Sequence, residues 1–265
     1  MLHKTNAIVG LMAIALLLGA AVPAVVADEG VDKAFETLKT YDWGADRAAL
    51  GPLDAAVAAA SGKADQQKQL AAQLAAVLST DAKVAAKDYV CRKLSLIGTA
   101  DNVPAIAPLL ENDKLSHMAR FALERIPCPE AATAMREVLP KVEGKLKVGV
   151  INSLGVRRDA PSTAALVALL ADKDTAIAGA AVGALGDIGT PDAAKALGAF
   201  QAKAPEKLKM AAADAYLTCA ERLLADGKKM DAIAIYKSLA KSKNKNVRLA
   251  ASRGLLAAIA KKNKK

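Results

Sequence analysis

A chain of 265 residues with 53% hydrophobic but only 3% aromatic content can bury an extended core, and that core has to be built from small side chains. Aromatic poverty with abundant alanine and leucine suits close-packed helices, and argues against a doubly wound enzyme of this size. The formal net charge of +10 is concentrated at one end: the ten basic residues of 232–265 face no Asp or Glu there, and the preceding chain from Asp28 is close to neutral.

In chain order, residues 1–27 carry Lys4, an apolar run from Ala7 to about Val22, and Val25-Val26-Ala27 ahead of Asp28. Small residues at both recognition positions predict a secretory signal cleaved after Ala27, and hence an exported, periplasmic or extracellular protein; the alternative is a retained membrane anchor. No cysteine follows the run, which argues against a lipoprotein anchor. Residues 28–79 show helical periodicity without clear register to the later units, and are predicted to form an N-terminal helical cap. Within them, Tyr41-Asp42-Trp43-Gly44 holds the only tryptophan. Trp43 is expected to anchor the first hairpin rather than to serve as a binding platform, because an end unit must hide an apolar face that lacks a neighbour.

From residue 80 to 204 a pattern recurs. Leu94, Leu123, Leu154 and Leu185 align at steps of 29, 31 and 31, with Val90, Ala119, Val150 and Ala181 four residues earlier. Three residues later stand Ile97, Ile126, Arg157 and Ile188, so the third unit is irregular at Arg157. Positions i, i+4 and i+7 make one helical face. Pro129, Pro161 and Pro191 then open the next helix, where a missing N–H loses nothing, with Thr190 as an N-cap. A period of this length predicts an all-α fold, an α-solenoid of stacked helical hairpins in which neighbours complete each unit's core. Through motifs such as ALGDIGTPDAAKAL, these units resemble HEAT repeats, and among them the short subtype of phycobilin lyases.

Residues 205–244 stretch the step. Gly227, Ala232 and Tyr236, with Ala220 and Leu223 before them, stand where a tetratricopeptide hairpin carries its turn glycine, packing alanine and aromatic, so a tetratricopeptide-like hairpin is expected here. Residues 245–265 are expected to return to the earlier form, with Leu256 as the core leucine of a capping helix, and to end in a basic tail.

Catalytic chemistry finds little material. Once the leader is removed His117 is the only histidine, so neither a two-histidine metal site nor a conventional serine triad can be built. Cys91, Cys128 and Cys219 are widely spaced, no CxxC occurs, and Cys91 is expected to be a buried small hydrophobe. No phosphate-binding glycine loop is present, and Asp174 is expected to cap a helix rather than to act with Asp172. No cofactor, metal or small-molecule substrate is expected.

Two features point to partners. Gly179, Gly183 and Gly186 line one side of their helix, and the same positions in earlier units hold Arg92, His117, Phe121, Glu124 and Asn152. Together they are a candidate partner-binding groove, although the glycines would equally serve to pack neighbouring helices tightly. Lys241, Lys243, Lys245, Arg248, Arg253, Lys261 and Lys262 form a candidate patch for an anionic envelope polymer, acidic protein or membrane surface, or else a solubilising end. Nucleic acid is not expected, since export removes it and no aromatic follows Tyr236. The expected function is an exported, non-catalytic scaffold binding a protein or extended polymer. The resemblance to phycobilin lyases implies a tetrapyrrole-handling enzyme as the alternative, and a passive spacer is a third.

Overall fold

The computed structural model describes residues 29–260, and all regular structure among them is helical. The expected signal with its cleavage point at Ala27, and Lys261 and Lys262 of the basic patch, lie outside the described residues. The helices are α1 (Glu29–Thr40), α2 (Gly51–Ala59), α3 (Ala64–Leu78), α4 (Val84–Ile97), α5 (Val103–Ile106), α6 (Ser116–Arg125), α7 (Pro129–Val138), α8 (Gly144–Val156), α9 (Thr163–Leu169), α10 (Thr175–Ile188), α11 (Pro191–Lys203), α12 (Lys209–Ala225), α13 (Lys229–Leu239) and α14 (Lys245–Ala260). A 3-10 turn, Ala107–Glu111, extends α5.

These helices stack in two rows. The leucine row runs α4, α6, α8, α10, α12, each packed on the next, and the opposite row contains α3, α5, α7, α9, α11 and α13. The chain is an α-solenoid. Leu94, Leu123, Leu154 and Leu185 are fully buried, as are Val90, Ala119, Val150 and Ala181, so the sequence columns are the seam between the rows. Each leucine so placed contributes about 1.5–3 kcal/mol by leaving water.

Local chemistry sets the turns. The Asp174 carboxylate accepts from the Ala176 N–H at 2.8 Å and starts α10. Gly189 ends it at φ +64, a left-handed conformation that a Cβ disfavours. The Thr190 hydroxyl then accepts from the Ala193 N–H at 3.2 Å, and Pro191 occupies the first turn of α11. One unit earlier Arg158 holds the left-handed position at φ +53, and its guanidinium reaches Asp226 at 2.6 Å, in the turn between α12 and α13.

The irregular Arg157 has a structural role. Its guanidinium donates to the carbonyls of Leu123 (2.6 Å), Glu124 (3.2 Å) and Ile126 (2.9 Å), and to that of Cys128 at 2.6 Å. A helix leaves its last carbonyls without partners. Arg157 satisfies those at the end of α6 from the neighbouring unit, doing with hydrogen bonds what isoleucine does by packing in the other units.

The ends depart from expectation. α1 and α2 close the stack against α4, with Leu38, Leu50 and Leu53 fully buried. Trp43, expected to be the anchor, is 66% exposed. The Asp42 carboxylate accepts from its N–H in the turn after α1, and Tyr41 is buried instead. The cap is tied down by polar contacts: Asp54 of α2 takes a hydrogen bond from Tyr89 (2.9 Å) and ion-pairs with Lys93 (2.6 Å) and Arg47 (3.1 Å).

At the other end, Ala220, Leu223, Ala232 and Tyr236 are buried between α12 and α13, with Gly227 at φ +80 in the turn. α12 also pairs with α11 and lies against α10 as α10 lies against α8, so it continues the leucine row. Leu256 is not a core leucine. α14 buries Val247, Ala251 and Ala258 and turns Leu256 outward, since no further described unit covers that side.

Candidate functional site

One side of the leucine row is left open, and the repeat register decides which residues occupy it. Arg92, Phe121, Asn152 and Gly183 stand at the same position of α4, α6, α8 and α10; Arg92, Asn152 and Gly183 are exposed, and Phe121 is half-buried. One turn further along the same helices come Leu96, Arg125, Val156 and Asp187. The result is a strip two residues wide crossing four helices. Leu96 and Val156 are among its most exposed large side chains, yet neither was singled out from the sequence. The available signal was the register itself, since they stand two residues beyond the core leucines.

The strip is mixed in character. The Arg125 guanidinium lies over the Phe121 ring, 3.7 Å from its centroid, so a cation is stacked on the aromatic face. Arg92 is held by Asp88 at 2.8 Å, and Asp187 sits 3.5 Å from Arg222. His117 is exposed at the start of α6.

Other predicted members face a neighbouring helix rather than the strip. Glu124 is half-buried and accepts from the Ser153 hydroxyl at 2.6 Å, linking α6 to α8. Arg120 donates to the Gly149 carbonyl at 3.2 Å in the same network. The glycines divide. Around Gly183 there is open space, and a Cβ at Gly179 would meet only Leu208 at 3.4 Å. At Gly186 a Cβ would lie 2.7 Å from the Ala215 carbonyl oxygen and 2.9 Å from its Cα. Gly155 meets Ala184 in the same way, at 2.8 Å from its Cα. The two contacts are one 31-residue step apart on both sides, so small residues let α8, α10 and α12 approach backbone to backbone, and the repeat step extends into α12.

The thiols are all free and do not bear on the strip. Burial pushes the Cys91 and Cys219 thiols up to about 12, which keeps them protonated core residues. Burial also raises the half-buried Cys128. Among the described residues no three His, Cys, Asp or Glu side chains gather as metal ligands would.

The described residues of the basic patch, Lys241, Lys243, Lys245, Arg248 and Arg253, are exposed around the start and outer side of α14. The Arg248 guanidinium donates to the Ser242 carbonyl at 2.8 Å and so holds the turn ahead of the helix. This patch and the strip lie on different helices.

Residues 133–216, from α7 into α12, match the family model of HEAT repeats. No curated protein matches the chain. Similar solved structures include two engineered proteins, both 18% identical. One covers 78% of this chain and 96% of its own with a TM-score of 0.40, the other 88% and 68% with 0.42. Human deoxyhypusine hydroxylase in complex with glycerol is 14% identical and covers 88% of this chain and 97% of its own, with a TM-score of 0.34.

Proposed function

Taking this chain as a HEAT-like helical repeat protein, we propose that it is an exported, non-catalytic scaffold that holds a protein or extended polymer along the open strip of its leucine row. The observation that carries the proposal is the regular placement of Arg92, Phe121, Asn152 and Gly183, with Leu96, Arg125, Val156 and Asp187 beside them, on four successive helices. A repeated surface suits a ligand that is itself repetitive or extended. Leu96, Phe121 and Val156 offer apolar contact, Arg92 and Arg125 offer cations, Asn152 offers an amide able to pair with a main chain, and Gly183 allows close approach. Export rests on the leader pattern of residues 1–27.

The test is site-specific photocrosslinking in the producing cell. Benzoylphenylalanine at position 96 or 152 should give a discrete adduct in the exported fraction, whereas the same group at the exposed position 195 of α11 should give none. An adduct pattern that is the same from all three positions, or no adduct from 96 and 152, refutes the strip as a binding surface.

A further inference from the structure

No described helix covers the outer side of α14, and that side is not polar throughout. Leu249, Leu256 and Ile259 are 47%, 69% and 60% exposed, while the inner side packs Val247, Ala251 and Ala258 against the stack. Lys245, Leu249, Arg253, Leu256 and Ala260 follow one another at three- and four-residue spacings along a single outward stripe. Arg248, Ser252 and Ile259 border it. We propose that α14 is a membrane-surface helix that lays this stripe on an anionic phospholipid bilayer.

Charge selects the occupant. Residues 232–260 contain no carboxylate side chain, and among the described residues none of Lys237, Lys241, Lys243, Lys245, Arg248 and Arg253 is ion-paired. A second copy of α14 would bring Lys245 and Arg253 against their like, so self-association is disfavoured. Lys245 and Arg248 flank the start of the stripe and Arg253 stands between Leu249 and Leu256, so a protein partner would have to match cations and apolar side chains at fixed places. A bilayer needs no such match. Long Lys and Arg side chains reach up to the headgroups while Leu249, Leu256 and Ile259 enter the acyl boundary. Each cation near an anionic surface strengthens binding about fivefold. Among the described residues no helix is long and apolar enough to cross a membrane, and α14, at 16 residues with two arginines inside it, lies along the surface.

The experiment uses the chain from Asp28 onward, which contains every described helix and lacks the apolar leader. Co-sedimentation is measured with phosphatidylglycerol-containing vesicles and with pure phosphatidylcholine vesicles, at 0.1 M and 1 M salt. Binding should be at least tenfold stronger to the anionic vesicles and should collapse at 1 M, where the screening length falls from about 10 Å to about 3 Å. Changing Leu249, Leu256 and Ile259 together to Gln should weaken it at least tenfold, with the thermal midpoint unchanged or raised because all three are exposed. Changing Lys241, Lys243, Lys245 and Arg253 to Gln should abolish the preference for anionic lipid. Equal binding to both vesicle types, an apolar-to-Gln variant that binds like the parent, or a dimer that this variant dissociates would each overturn the proposal. Retention by soluble polyglutamate with no vesicle binding would overturn it too, in favour of an acidic protein. None of these results bears on the strip of the leucine row.

Discussion

Replacing Arg157 by Ile makes the third unit match the column of its neighbours, yet the structure predicts that the protein loses stability. Four carbonyls depend on this guanidinium, two of them at 2.6 Å. A hydrogen bond from a charged donor contributes about 1.5–3 kcal/mol, and a carbonyl stripped of its donor away from water loses about 1–3 kcal/mol. Arg157 is half-buried, so water can replace part of what it supplies. Counting only the two shortest bonds gives a loss of about 3 kcal/mol, and the apolar contact of the new Ile returns about 1 kcal/mol. The net loss of about 2 kcal/mol corresponds to a thermal midpoint lower by about 4–8 °C for a chain of this size. Circular dichroism melts and urea midpoints of the parent, Arg157→Ile and Arg157→Lys measure it. Lysine keeps the charge but not the fork, and should fall between the other two. A variant with Ile that melts at or above the parent would show that the end of α6 does not need this donor.

The glycines separate in the same assay. Gly183→Ala meets open space and should stabilise by up to about 1 kcal/mol, whereas Gly186→Ala pushes a Cβ into the backbone of Ala215 and should destabilise by about 1–3 kcal/mol. Equal stability in the two variants would refute close approach of α10 and α12. At Asp54, burial by itself would raise the carboxyl, but hydrogen bonds from Lys93 and Tyr89 and the charges of Lys93 and Arg47 outweigh it and hold the group below its ordinary value. A depressed carboxylate stabilises fully above the unfolded value of about 3.9 and loses that contribution as pH falls through the folded one. Asp54→Asn should therefore melt lower than the parent at pH 7 and converge with it towards pH 2, and a gap that does not change with pH would refute the cap's electrostatic tie.

The helical repeat could be read from the residues alone, because periodicity is a property of one chain segment and needs no knowledge of its neighbours. The columns of Leu94, Leu123, Leu154 and Leu185, the caps at Asp174 and Thr190, and the helix start at Pro191 are all local, and all stand in the structure as the residues predict. What depended on contact between units was not legible. Whether Trp43 or Tyr41 turns inward depends on how α1 meets the stack, and Arg157 looks like a defect until the carbonyls of the neighbouring helix are placed beside it. The glycine stripe is uniform as a pattern, but Gly186 faces Ala215 while Gly183 faces solvent, a difference set by where the next helix lies. Leu256 fits a core position by type, and only the absence of a covering helix beyond α14 among the described residues turns it outward. Helical periodicity tells which residues share a face, and packing alone decides what that face meets.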